Sequence, residues 1–142
     1  MVYLKTVELQ NPASQTECLE EMFAAVADKL DAGQMDELKE AVYTREDTAS
    51  TFLGDELAAP HGRISGLGDE IVVLGVSKNG VDWPTQEQRA KFVVLIGVDR
   101  KRISAYLALL QKIIKWYRSS DSHPSPESDA AELAESLERH LA

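Results

Sequence analysis

Cysteine is almost absent: Cys18 is the only one in 142 residues, which excludes an intrachain disulfide and a cysteine-based zinc site. Long apolar runs are missing too. None approaches the roughly 20 residues that a membrane-crossing helix needs, so no membrane span is expected. Histidine is scarce, with only His61, His123 and His140. No histidine–carboxylate cluster stands at ligand spacing, so no metal site is expected. Basic residues are outnumbered, 15 Lys and Arg against 24 Asp and Glu, for a net charge of −9. No basic patch offsets repulsion from phosphates, which disfavours nucleic acid and anionic lipid as partners. The acidic surplus either keeps the domain soluble or steers a basic protein partner. The phosphate loop GxxxxGKS/T, the zinc motif HExxH and the nucleophile elbow GxSxG are all absent. Gly66-Leu67-Gly68 has no helix behind it and gives no dinucleotide signal. The first residues, Met1 to Lys5, do not read as a secretory leader, and a reducing cytoplasm is the expected compartment.

Hydrophobic residues at 44% and charged residues at 27% suffice for a folded core, and the length fits one domain over 1–142. Leu19, Met22, Phe23, Val26 and Leu30 follow the spacing of one buried helical face. Ser14 and Glu17 form its capping box, and Gly33 is its expected stop. A shorter helix is expected to bury Met35, Leu38, Ala41 and Val42. Ile103, Tyr106, Leu107, Leu110, Ile113, Ile114 and Tyr117 make a long apolar stripe on a third helix. A fourth, capped by Ser125 with Pro126 at its first position, offers Leu133, Leu137 and Leu141. Between the helical pairs lie two short apolar runs. Glu70 to Ser77 is followed by the turn signal Asn79-Gly80, and Lys91 to Val98 is apolar on both faces, as a central strand is. A weaker strand covers Glu56 to Ala59, and 119–125 reads as a polar loop. The order predicts a mixed α/β fold: a small mixed sheet flanked by helices. Trp83 and Trp116 are expected half-buried, and Cys18 structural.

Of the histidines, His123 falls in the polar loop and His140 in a last helical turn, where a cation suits the dipole. His61 stands between Pro60 and Gly62, directly after Leu57-Ala58-Ala59. Proline fixes the backbone entering it, and glycine frees the backbone leaving it. Such a corner holds an imidazole at a sheet rim. The residues alone leave it open between an ordinary turn histidine and a working one.

The segment Arg45 to His61, REDTASTFLGDELAAPH, resembles the active-site segment of the fructose/mannitol-type enzyme IIA family of the bacterial phosphotransferase system, which includes its nitrogen-regulatory members. Arg45, Glu46, Ser50, Thr51, Leu53, Gly54, Leu57, Ala58, Ala59, Pro60 and His61 match the family pattern without a gap. Gly62-Arg63, the strand VLGVS and Gly80-Val81-Asp82-Trp83 extend the likeness downstream. Phe52 and Glu56 stand where the family usually has glycine, so either the loop has changed shape or those backbone positions are undemanding. Many members carry a second histidine at the start of the first C-terminal helix. The helical stripe places Tyr106 there, and no histidine occurs between 61 and 123.

The resemblance implies a phosphohistidine carrier. His61 takes a phosphoryl group from an HPr-type phosphocarrier protein and passes it to enzyme IIB. Arg45 holds the phosphoryl oxygens, Ser50 and Thr51 donate hydrogen bonds to them, and Tyr106 adds one from its hydroxyl. No metal and no cofactor are implied. Arg45, Ser50, Thr51 and Tyr106 read equally as surface, cap, turn and packing residues, and Arg63 as a solvated or partner-facing one. Two other outcomes fit the same resemblance: a regulatory protein of the nitrogen type that binds a target, and an enzyme IIA-like interaction protein that is never phosphorylated.

Overall fold

The computed structural model describes residues 2–10, 12, 14–119 and 124–141. The loop expected over 119–125 lies mostly outside these residues, and His123 with it; the Ile103 side chain is also outside.

Two strands rich in β-branched residues make the centre. β5 (Glu70–Val81) and β6 (Ala90–Asp99) pair antiparallel. Because side chains alternate along a strand, Ile71 and Val73 face one side and Val72 and Leu74 the other. Both sides are apolar, so both must be covered. Helices α1 (Gln15–Ala25) and α2 (Ala32–Thr48) cover the first with Leu19, Met22, Phe23, Leu38 and Val42. Helices α3 (Ile103–Arg118) and α4 (Ala130–Leu141) cover the second with Ile113, Trp116, Tyr117, Leu133 and Leu137. Each such side chain, fully buried, contributes roughly 1.5–3 kcal/mol. The expected mixed α/β architecture is what forms: six strands and four α-helices among the described residues.

The sheet continues outward on both sides. β1 (Val2–Glu8), which periodicity did not reveal, lies parallel to β5. On the other side β6 pairs in parallel with β3 (Leu57–Ala58) and then, further along, with β4 (His61–Ile64), while β2 (Phe52–Gly54) pairs antiparallel with β3. β6 is thus the central strand the sequence predicts.

Several boundaries differ from expectation. Gly33 does not stop α1, which ends at Ala25 and passes into a 3-10 turn over Ala27–Lys29; Gly33 lies in the first turn of α2. Asp31 starts that helix instead: its carboxylate accepts the Gln34 N–H at 2.7 Å, and Gln34 Oε1 accepts the Asp31 N–H at 3.1 Å. The helix expected to be short therefore runs 17 residues. Asn79-Gly80 is not a hairpin turn, because β5 runs through it with a register shift against β6 between Val76 and Val81. Gly80 sits at φ +80°, where a Cβ would lie 2.6 Å from that of Arg89. On α3 the buried face is Leu109, Ile113, Trp116 and Tyr117, which leaves Leu107 55% exposed. Both tryptophans are fully rather than half buried. α4 is capped by Asp129, whose carboxylate takes the Ala131 N–H at 2.7 Å; Ser125 and Pro126 form a separate turn closed by Ser128 N–H to Ser125 O at 3.0 Å. Ser14 does cap α1, accepting the Glu17 N–H at 3.2 Å.

Candidate functional site

α2 carries Arg45 in its last turn, and β4 opens with His61. Their proximity follows from Gly62, which sits in the strand against α2. A Cβ there would lie 3.2 Å from Leu38 Cδ1 and 3.3 Å from Val42 Cγ2. Glycine follows the histidine to admit the helix, not to release the backbone into an unusual conformation. Alternation then turns His61 and Arg63 away from the buried pair Gly62 and Ile64.

The imidazole of His61 is half-buried, and its Nδ1 lies 3.1 Å from the Ala59 carbonyl oxygen. A carbonyl only accepts, so Nδ1 carries the hydrogen and Nε2 keeps its lone pair. Burial holds the His61 pKa below the usual 6.5; the Ala59 bond opposes that, the Arg45 charge adds to it, Glu46 opposes and Arg63 adds. The ring is therefore neutral at neutral pH. Tyr106 stacks on it, ring centroids 4.2 Å apart and planes at 29°. Burial raises the Tyr106 pKa, against a smaller pull from Arg45, so its hydroxyl stays protonated.

Beside the ring opens a cleft of about 450 Å³ whose walls include Thr44, Arg45, Thr48, His61, Arg63 and Arg100. Arg45 Nη1 donates to the Ala49 carbonyl while the Ala49 N–H returns to Arg45 O at 3.1 Å, which anchors the guanidinium stem at the helix end. Arg100 Nε is paired with Glu37 at 2.9 Å.

Ser50 and Thr51 have diverged in role. Thr51 is 5% exposed, and its hydroxyl donates to the Glu46 carboxylate. The same carboxylate accepts the Thr51 N–H at 3.4 Å and the Gln15 Nε2–H at 3.1 Å. Thr51 is thus turned inward to Glu46. Ser50 Oγ accepts the Phe52 N–H at 3.1 Å, which shapes the chain entering β2. Tyr106 stacks on His61, and Arg45 and His61 line one cleft, whereas the Thr51 hydroxyl is committed to Glu46.

The loop between β2 and β3 and the strand before it show what the backbone asks of positions 52 and 56. Asp55 and Glu56 both have positive φ, 51° and 65°, between the paired residues Gly54 and Leu57. A two-residue hairpin turn with both central residues left-handed favours glycine at the second. Position 56 has that demanding conformation and fills it with Glu56, whose carbonyl accepts Lys91 and Phe92 N–H groups at 2.9 and 3.1 Å. Tyr117 donates its hydroxyl to the Asp55 carbonyl. Phe52, by contrast, is an ordinary strand residue packed on the α1–α2 side of the core.

Sequence reasoning missed Glu46 as the anchor of this segment, and Thr44, Thr48 and Arg100 as cleft walls. With α2 extended to Thr48, the spacing Glu37, Ala41, Thr44, Thr48 marks a single helical face. Among the described residues no group of three or more His, Cys, Asp or Glu is placed to hold a metal ion, and no helix is long and apolar enough to cross a membrane.

The fold is that of enzyme IIA domains. It resembles the nitrogen regulatory protein IIA-Ntr from Neisseria meningitidis with a TM-score of 0.73 and 19% identity, over 96% of this chain and 92% of that one. It also resembles the IIA component in a complex of mannitol enzyme IIA with phosphorylated enzyme IIB from Escherichia coli, with a TM-score of 0.70 and 17% identity, over 94% of each chain. In sequence it is 28% identical over 112 residues to the fructose-specific EIIABC component of Bacillus subtilis, an alignment covering 76% of this chain and 17% of that much longer protein. The profile of the phosphoenolpyruvate-dependent sugar phosphotransferase system EIIA 2 family matches residues 4–124. The chain belongs to that family.

Proposed function

We propose that this EIIA-type domain is a phosphohistidine carrier that accepts a phosphoryl group on His61 Nε2 from an HPr-type phosphocarrier and passes it to an enzyme IIB, acting in the cytoplasm. The observation that carries the reading is the hydrogen bond from Nδ1 to Ala59 O. It commits one nitrogen to the protein and leaves the other as a nucleophile beside two arginines. In the transfer the N–P bond of the donor histidine breaks as the bond to Nε2 forms, and the proton stays on Nδ1, donated to the Ala59 carbonyl oxygen. The loose transition state spreads negative charge over three oxygens, so the protein's task is to position and neutralise. Arg45, with its planar fork, suits two of those oxygens, and Arg63 adds charge nearby. Ser50 and the Tyr106 hydroxyl are further donors; Thr51 acts through Glu46 by fixing the backbone of the segment. The mannitol enzyme IIA seen with phosphorylated enzyme IIB lends its acceptor to the proposal by likeness of fold.

Incubation with phosphoenolpyruvate, enzyme I and HPr, followed by intact mass measurement, tests this. One acid-labile phosphoryl group is expected, and none on His61→Ala. Equal labelling of His61→Ala removes the assignment; no labelling of the parent chain removes the carrier function.

A further inference from the structure

The hydrogen bond to Ala59 fixes only one atom of the His61 ring. A side chain with two free torsions still pivots about that contact. The second constraint is the face of Tyr106, nearly parallel to the imidazole at 4.2 Å. Tyr106 is itself held in α3, half-buried, three residues before fully packed Leu109. A carbonyl at one nitrogen and a plane against one face together define both the edge and the tilt of the ring. We propose that Tyr106 is a positioning residue for phosphoryl transfer, its ring face holding the imidazole so that Nε2 lies in line with an incoming group before any donor docks.

The inference rests on the carrier reading and divides the site into two tasks. Orientation belongs to the aromatic face, and charge belongs to Arg45 and Arg63. The Tyr106 hydroxyl contributes less than the ring, because it brings no positive charge to a transition state that gathers negative charge. Holding a reacting atom in line is worth large factors in rate, and a ring free to tilt loses them.

Three variants of the full chain separate the parts. Tyr106→Phe keeps the face and drops the hydroxyl, whereas Tyr106→Leu and Tyr106→Met keep apolar volume and drop the face. Single-turnover transfer from phosphorylated HPr is read by intact mass, and the His61 tautomer by nitrogen-15 NMR of the unphosphorylated chain. Tyr106→Phe should lose only the few-fold factor of one hydrogen-bond donor, about threefold, and the leucine and methionine variants should transfer at least about tenfold more slowly than Tyr106→Phe, with melting temperature retained. Parent and Tyr106→Phe should show one tautomer, protonated at Nδ1, and the other two a mixture. Should Tyr106→Leu fail to fold, Tyr106→Met carries the comparison. Parental transfer by the Leu or Met variant overturns the proposal, as does a Phe variant as slow as they are, which would make the hydroxyl the working group. If the parent takes no phosphoryl group at all, the carrier reading falls, and the tautomer comparison still decides whether Tyr106 fixes the ring: a single tautomer without it overturns the proposal.

Discussion

A Cβ built on Gly62 falls 3.0 Å from the Cβ of Ala41, so α2 lies directly on β4 one residue beyond the histidine. The contact ties the helix that carries Arg45 to the strand that carries His61, and it makes their spacing a matter of backbone packing. Neither atom can yield by rotating, since the Ala41 methyl has no torsion that moves it away. Gly62→Ala should therefore lower unfolding stability by about 1–3 kcal/mol through overpacking. Denaturant titration reads this, and an unchanged midpoint would show that α2 shifts at no cost.

Glu46 should matter more than its half-exposed place on a helix suggests. One carboxylate gathers the Thr51 hydroxyl, the Thr51 N–H and the Gln15 amide. Removing it leaves buried Thr51 with two unpaired donors. Glu46→Ala should cost about 2–3 kcal/mol, with hydrogen exchange rising at Thr51 and Phe52 before it rises in the sheet. Uniform exchange across the chain would argue against a local anchor.

The turn before His61 offers a gain rather than a loss. Glu56 holds φ 65° and pairs with Lys91 at 3.3 Å on the surface. Relief of a left-handed side chain outweighs an exposed ion pair, so Glu56→Gly should stabilise the chain by about 0.5–1 kcal/mol. A fall in melting temperature would mean that the ion pair with Lys91 dominates.

How much of this was legible in the residues varies with the physics behind each feature. β5 and β6 were readable because both faces are buried, so apolar residues run without alternation. The face of α3 was misjudged at Leu107, because a stripe of seven apolar positions is wider than one helix can bury. The length of α2 was hidden once its apolar residues gave way to Thr44, Arg45 and Thr48, polar residues that line a cleft. Arg45 and His61 came from a family pattern and Tyr106 from the helical stripe; Tyr106 stacks on His61, and Arg45 and His61 line one cleft. The inward turn of Thr51 was not legible, since a hydroxyl beside a histidine reads the same whether it points to a ligand or to a carboxylate. Glycine at 62 was read as freedom and is instead close approach, a distinction that exists only once a neighbour is known.

Acid should weaken the fold through His61. Its folded pKa lies below histidine's ordinary 6.5, chiefly because burial disfavours the charged ring. The unfolded chain then binds the proton more readily, so this contribution is complete above the unfolded value and is lost as pH falls through the folded one. Stability measured from pH 7.5 down to 5 should decline less steeply in His61→Gln, which has no ring to protonate. NMR titration of His61 should give a midpoint below 6.5. A midpoint at or above it would mean that the Ala59 bond and Glu46 outweigh burial and the arginines.

Arg45 should act on His61 in two separable ways. Its charge disfavours protonation of the ring, so Arg45→Gln should move the His61 titration upward. The same charge should stabilise the transferring phosphoryl group, and its loss should slow single-turnover phosphorylation by about a hundredfold. The two effects differ in pH dependence. Slowing caused by extra protonation vanishes at pH 8, where the ring is neutral in parent and variant alike, whereas loss of transition-state charge persists there. Arg45→Lys restores a point charge without the fork that meets two oxygens, and should recover the titration more fully than the rate. Phosphorylation of Arg45→Gln at the parental rate at pH 8 would leave Arg45 as a helix cap on the Ala49 carbonyl and pass its charge role to Arg63.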